Sequence, residues 1–121
     1  HFFQPIKGIV SQKFNVKEKH FGIDIVSKKN ETIKAALSGK VIVASWTLEE
    51  GNVIGVQHQD NLISFYKHNS VLLKRIGDLV KAGEVIAIVG NSGELSTGPH
   101  LHFEIWQNGT PLNPLDVISF N

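Results

Sequence analysis

Short runs rich in β-branched residues recur along this chain, each bounded by Gly, Asn, Asp or Pro: residues 8–10, 22–26, 39–44, 52–58, 62–67 and 84–89. A spacing of about ten residues between turn signals is that of an all-β sandwich or barrel. Nothing of helical length carries a sustained 3.6-residue apolar period. The expectation is therefore an antiparallel β-sandwich or barrel-like fold, one domain over residues 1–121. Gln59-Asp60-Asn61 and Asn108-Gly109 read as hairpin turns. A chain of 121 residues buries roughly 65% of its unfolded surface and needs no staple to fold.

Composition narrows the chemistry. The chain has no cysteine, so neither a disulfide framework nor a thiolate zinc site is available, and any metal must be held by His, Asp or Glu. The formal net charge is +1, with the charges mixed along the sequence. That balance offers no basic stripe for nucleic acid and disfavours it as a partner. No run approaches the length of a membrane span. The sequence starts at His1, has no methionine, and enters on Phe2-Phe3, which predicts a processed or excised part of a longer precursor. Any membrane anchor would then be supplied by the upstream region.

The residues with chemistry fall into clusters. In Gly98-Pro99-His100-Leu101-His102-Phe103-Glu104-Ile105-Trp106, a strand places His100, His102 and Glu104 on one face and Leu101, Phe103 and Ile105 on the other. In His20-Phe21-Gly22-Ile23-Asp24, His20, Gly22 and Asp24 look the same way, and Gly22 leaves room for an ion between imidazole and carboxylate. Two imidazole nitrogens and one carboxylate oxygen make a three-ligand zinc set with a fourth position open. His20, Asp24 and either His100 or His102 would supply it. The competing readings are a buried His–Asp hydrogen bond and a half-buried strand with incidental histidines. In Phe65-Tyr66-Lys67-His68-Asn69, His68 ends a strand before a polar turn, where side chains reach a cleft. His58 and His1 read as surface residues.

Taken together, His20-x-x-x-Asp24, Tyr66-x-His68, and Gly90-Asn91-Ser92-Gly93 followed by Ser96-Thr97-Gly98-Pro99-His100-Leu101-His102-Phe103-Glu104 resemble the M23 (LytM/lysostaphin-type) zinc metallopeptidases in order and spacing. The resemblance runs from Pro5-Ile6 to Pro114, and includes the Val80-Lys81-Ala82-Gly83-Glu84-Val85-Ile86 turn and strand and the closing Asn108-Gly109-Thr110-Pro111-Leu112-Asn113-Pro114. It implies that His20, Asp24 and His102 hold one zinc ion, with His68 and His100 as the non-ligand active-site histidines. It further implies an extracytoplasmic endopeptidase whose substrates are peptide bonds in bacterial cell-wall peptidoglycan. Two positions depart from the family's habit: Asn69 stands where Leu is frequent and Val53 where Tyr is frequent. Neither is a catalytic position, so substrate contacts are affected, not chemistry.

The chemistry also follows from residue types. Hydrolysis of a peptide bond needs a group to take the water's proton and a group to steady the oxyanion. The His-Glu-x-x-His helix of other zinc peptidases is absent. Histidine is the remaining side chain suited to near-neutral proton transfer, and His68 and His100 are left for that pair of roles. Glu104 is a candidate acceptor behind one histidine. The loop from Gly90 to Gly98 suits main-chain recognition of an extended peptide, and Trp46 is a candidate wall of the groove. The rival function is a non-catalytic peptidoglycan-binding or hydrolase-activator domain on the same fold. A biotinyl-type carrier domain, suggested by Asp78-x-Val80-x-x-Gly83-x-x-Ile86, is set aside because the chain has no methionine to flank a carrier lysine.

Overall fold

The computed structural model describes residues 2–90 and 98–121. His1 and the segment 91–97, with most of the Gly90–Gly98 loop to which peptide recognition was assigned, lie outside the described residues.

The strands are β1 (Ile9–Gln12), β2 (Ile23–Val26), β3 (Thr32–Lys34), β4 (Gly39–Thr47), β5 (Gly51–Gln57), β6 (Leu62–Leu72), β7 (Leu79–Val80), β8 (Val85–Val89), β9 (His100–Gln107) and β10 (Thr110–Leu112). Every pairing among them is antiparallel, in the order β1-β2-β9-β6-β5-β4-β7, with β10 on β9. The last residues of β6 leave this sheet's register to pair with β8, which in turn pairs with β3. The only helical elements among the described residues are 3-10 turns at Val16–Glu18 and Pro114–Asp116. The expected all-β antiparallel fold is what the chain adopts. The runs read from sequence are strands, β10 follows from the Asn108-Gly109 hairpin, and the two- and three-residue strands β7 and β3 escaped that reading.

Both expected hairpins form. Asp60 and Asn61 take φ of 61° and 58°, and Asn108 and Gly109 take 51° and 78°. Consecutive left-handed residues of this kind match the twist of the flanking strands. Alternation then sorts the faces: Leu101, Phe103 and Ile105 of β9 are buried. They join Ile23 and Ile25 of β2, Ile54 and Val56 of β5, and Ile33 and Ile86 from β3 and β8 in one apolar cluster. Each such side chain contributes roughly 1.5–3 kcal/mol when removed from water. The opposite face of β9 stays open, and the polar residues are there.

Candidate metal centre

Strands β2 and β9 are neighbours in a register that sets Asp24 opposite His102 and Val26 opposite His100. Directly opposed residues on one face lie within side-chain reach, and Asp24 Oδ1 sits 2.7 Å from His102 Nδ1. His20 arrives differently. The 3-10 turn is capped by Asn15, whose side chain accepts from Glu18 N–H, and is closed by Lys19 in the left-handed conformation, φ 57°. Asn15 and His20 then exchange backbone hydrogen bonds of 2.9 Å each, which fixes His20 beside β2 and not on it.

The carbonyl of Lys13 lies 2.7 Å from His20 Nδ1. A carbonyl only accepts, so Nδ1 carries the hydrogen and the lone pair of the neutral ring is on Nε2. That Nε2 is buried, 3.4 Å from Asp24 Oδ2, and has no hydrogen-bond partner. A buried, unpartnered nitrogen is costly unless something else satisfies it. One donor atom each from His20, Asp24 and His102 lie within 4.8 Å of one another. Two imidazoles and a carboxylate are a zinc donor set, and the residues present fit such an ion.

Behind His102 stands a second set of contacts. His102 Nε2 lies 2.7 Å from Glu104 Oε2, Trp106 Nε1–H donates to Glu104 Oε1 at 2.8 Å, and Lys67 Nζ is 3.3 Å from Glu104 Oε2. A carboxylate on the far nitrogen fixes a ligand imidazole's tautomer and orientation. Here it leaves Nδ1 facing Asp24. Burial disfavours the charged form of His102, but the hydrogen bonds of Asp24 and Glu104 outweigh it and raise its pKa to about 9. Burial likewise opposes ionisation of Glu104, yet the hydrogen bonds from His102 and Trp106 and the Lys67 charge pull it down to about 2. Asp24 is also lowered, its burial outweighed by the His102 hydrogen bond and the neighbouring imidazoles.

His68 and His100 flank this cluster, with ring centroids 5.6 Å apart and His68 6.3 Å from His102. Burial first, and then the charges of His100 and His102, lower the pKa of His68. The ring is thereby kept neutral and able to accept a proton. Its backbone is unusual: φ is 69°, a conformation that residues with a β-carbon seldom adopt. Two asparagines maintain it. Asn69 Nδ2 donates to the carbonyls of Tyr66 and Asn52, both at 2.9 Å, and Asn52 Nδ2 donates to those of Asn69 and Ser70, both at 3.1 Å. His68 N–H reaches the Glu50 carbonyl at 2.8 Å. The register of β6 shifts against β5 across this segment. Beside it, a cavity of about 370 Å³ is lined by Phe21, Glu49, Lys67, His68 and His102.

His20, Asp24 and His102 are thus brought together, and His68 and His100 stand beside them. Several details differ from the sequence reading. A β-carbon at Gly22 would sit on the Phe103 carbonyl oxygen and 2.7 Å from Glu104 Cγ, so this glycine admits β9, not an ion. Trp46 is 63% exposed and does not wall the site. The tryptophan beside it is Trp106. Asn69 is buried at 4% exposure and braces the backbone. His58 is half-buried and not a free surface side chain, since its Nδ1 and Nε2 lie 2.8 Å from the Ser38 carbonyl and 2.7 Å from Ser64 Oγ. Lys67 was not read from the sequence as a site residue. The only signal was its place in Tyr66-x-His68, and its approach to Glu104 depends on the register that sets Lys67 opposite His102.

Known proteins resemble this chain in sequence and fold. A model of peptidase family M23 matches residues 18–114. The murein hydrolase activator NlpD of Escherichia coli is 41% identical over 113 residues, covering 92% of this chain and 29% of its own length. The DD-carboxypeptidase/endopeptidase Mpg of Neisseria meningitidis is 36% identical over 98 residues, covering 81% of this chain and 22% of its own. The chain thus spans less than a third of either curated relative. The crystal structure of a zinc containing peptidase from Vibrio cholerae superposes with a TM-score of 0.84 at 27% identity, over 100% of this chain and 41% of that one. The chain belongs to peptidase family M23.

Proposed function

We propose that this protein is a zinc-dependent endopeptidase that hydrolyses peptide bonds in bacterial cell-wall peptidoglycan. The observation that carries the reading is the unpartnered, buried Nε2 of His20, aimed at the Asp24–His102 pair. His20, Asp24 and His102 would hold the ion, and Glu104, braced by Trp106 and Lys67, would orient His102. A zinc ion held there would act as a Lewis acid toward a peptide carbonyl and make water acidic enough to react at neutral pH. The chain's own part is proton handling. His68, kept neutral by burial and neighbouring imidazoles, would accept the proton of the attacking water, while His100 on the other side donates to the developing oxyanion or leaving amine, or the two exchange these roles. On this reading the protein works outside the cytoplasm, in the cell envelope or secreted, a reading supported by its similarity to a murein hydrolase activator.

A second reading is supported by the 41% identity to a murein hydrolase activator: a peptidoglycan-binding or activator domain without catalysis of its own. The complete set of His20, Asp24, His68, His100 and His102 favours the enzyme, because activation by binding needs no open ligand position. The deciding experiment is mass spectrometry of fragments released from purified cross-linked peptidoglycan by the zinc-loaded protein, beside His68→Ala and a chelated control. New peptide ends confined to the intact zinc form support the peptidase. Intact wall despite bound zinc supports the activator.

A further inference from the structure

The lysines of this chain are gathered at one end of it. Residues 7–29 hold six, Lys7, Lys13, Lys17, Lys19, Lys28 and Lys29, against only Glu18 and Asp24. Asp24 is turned toward His102 in the metal centre. The whole chain has a formal net charge of +1, so the remainder carries an excess of acid, and the near-neutral total conceals a basic stripe.

The fold makes this segment one border of the sheet. β1 is the terminal strand and pairs only with β2, so its outer side meets no other strand among the described residues. Ile9 stands opposite Val26, and continuing that antiparallel register sets Lys7 beside Lys28. The Ser27 hydroxyl, which donates to the Lys7 carbonyl, ties these ends together. Past the other end of β1, Lys13 leads into the 3-10 turn that carries Lys17 and is closed by Lys19. From Lys7 to Lys13 an extended chain covers about 20 Å. All six lysines are exposed, and none has a carboxylate within ion-pair distance among the described residues, whereas Lys67 and Lys74 are paired with glutamates.

Two apolar side chains stand among these charges. Val10 packs against the core, so Ile9 before it points the other way and is 78% exposed. Val16, between Lys13 and Lys17, is 57% exposed. A single exposed apolar residue is ordinary. Alkyl side chains interleaved with unpaired lysines suit an anionic bilayer, where the charges meet headgroup phosphates and the alkyl groups enter between them. A soluble polyanion would use the lysines and gain nothing from Ile9 or Val16.

We propose that this border of the sheet docks reversibly on a bilayer surface that contains anionic phospholipid. Each lysine near such a surface contributes about fivefold in partitioning, and the attraction fades as salt rises. No residue of the metal centre takes part, so docking is independent of catalysis.

The test is co-sedimentation of the protein with vesicles of phosphatidylcholine alone and of phosphatidylcholine mixed with phosphatidylglycerol, at low and high salt, beside its binding of soluble polyphosphate. The expected result is binding confined to the phosphatidylglycerol vesicles, weakened by salt, and reduced by more than about tenfold when Lys7→Gln and Lys28→Gln are combined. Combining Ile9→Ser with Val16→Ser should weaken vesicle binding and leave polyphosphate binding as it was. Absence of binding to phosphatidylglycerol vesicles overturns the inference, as does equal binding to both compositions or an unchanged partition in the lysine variant. Vesicle binding unaltered by Ile9→Ser with Val16→Ser overturns it too, in favour of a soluble phosphate polymer. Melting temperature and zinc content show that each variant is folded, and Lys17→Gln with Lys29→Gln makes the same charge change elsewhere on the border should the first pair fail to fold.

Discussion

His102 holds two positions at once: Nδ1 faces Asp24 and the unpartnered Nε2 of His20, while Nε2 is committed to Glu104. On the reading proposed above, losing it would remove a ligand, whereas losing His68 would remove a proton-handling group only. His102→Ala is therefore expected to lose both zinc and activity. His68→Ala should keep stoichiometric zinc and lose turnover by about two to four orders of magnitude. Metal content by atomic absorption beside cleavage rates separates the two, and a zinc-retaining His102→Ala would remove His102 from the ligand set. Asn69 acts a step further out. Asn69→Ala strips the hydrogen bonds from two carbonyls beside the His68 backbone, at a cost of about 2 kcal/mol. Zinc should stay while turnover falls, read from the urea midpoint, the metal content and the cleavage rate of one preparation.

Elements carry the site because of how closely two of them approach. β2 and β9 lie side by side at Asp24 and His102, and Gly22, just before β2, has no side chain to push β9 away. Gly22→Val is expected to cost about 3 kcal/mol by overpacking and to abolish stoichiometric zinc. Thermal unfolding with metal analysis tests both effects, and unchanged zinc would show that the approach of β9 does not depend on Gly22. The alternation of His100, His102 and Glu104 against Leu101, Phe103 and Ile105 made β9 readable in the sequence, as did the β-branched run of β2. Strands β3 and β7 were not readable, and β10 only through the Asn108-Gly109 turn before it. With two or three residues each, backbone pairing to longer neighbours makes them strands, not a side-chain pattern of their own. Lys67 and His58 were hidden for a related reason. Their partners Glu104, Ser38 and Ser64 come to them across the sheet or between loops, a relation no local spacing encodes.

At the scale of the molecule, one chain of hydrogen bonds ties the β3–β4 connection to the middle of the sheet. Ala36 N–H donates to the Tyr66 hydroxyl at 2.9 Å, and that hydroxyl lies 2.7 Å from Ser64 Oγ. Ser64 in turn meets His58 Nε2, while His58 Nδ1–H donates to the Ser38 carbonyl. Every hydrogen in this chain has a place only when His58 is neutral. Burial lowers the His58 pKa below its ordinary 6.5, against the opposing pull of the Ser38 carbonyl. The stability this contributes is present above pH 6.5 and is lost as pH falls through the folded-state pKa. The melting temperature should thus drop between neutral and mildly acidic buffer, and His58→Gln should flatten that drop. An equal acid loss in the variant would take His58 out of the account. The position of the proposed metal ligands in the chain has a temporal meaning as well. His20 and Asp24 lie near one end of the described chain and His102 near the other, joined only through the β2–β9 pairing. Loop closure of that span is among the slower events available to a β-protein. On the ligand set proposed above, zinc capture would therefore report the end of folding and not its beginning. A zinc-sensitive dye followed by stopped flow during refolding should lag behind the burial of Trp106, and capture ahead of that burial would show that the ligands meet without the sheet. On the peptidase reading proposed above, a chain arranged in this way is harmless to its surroundings for as long as it is unfinished.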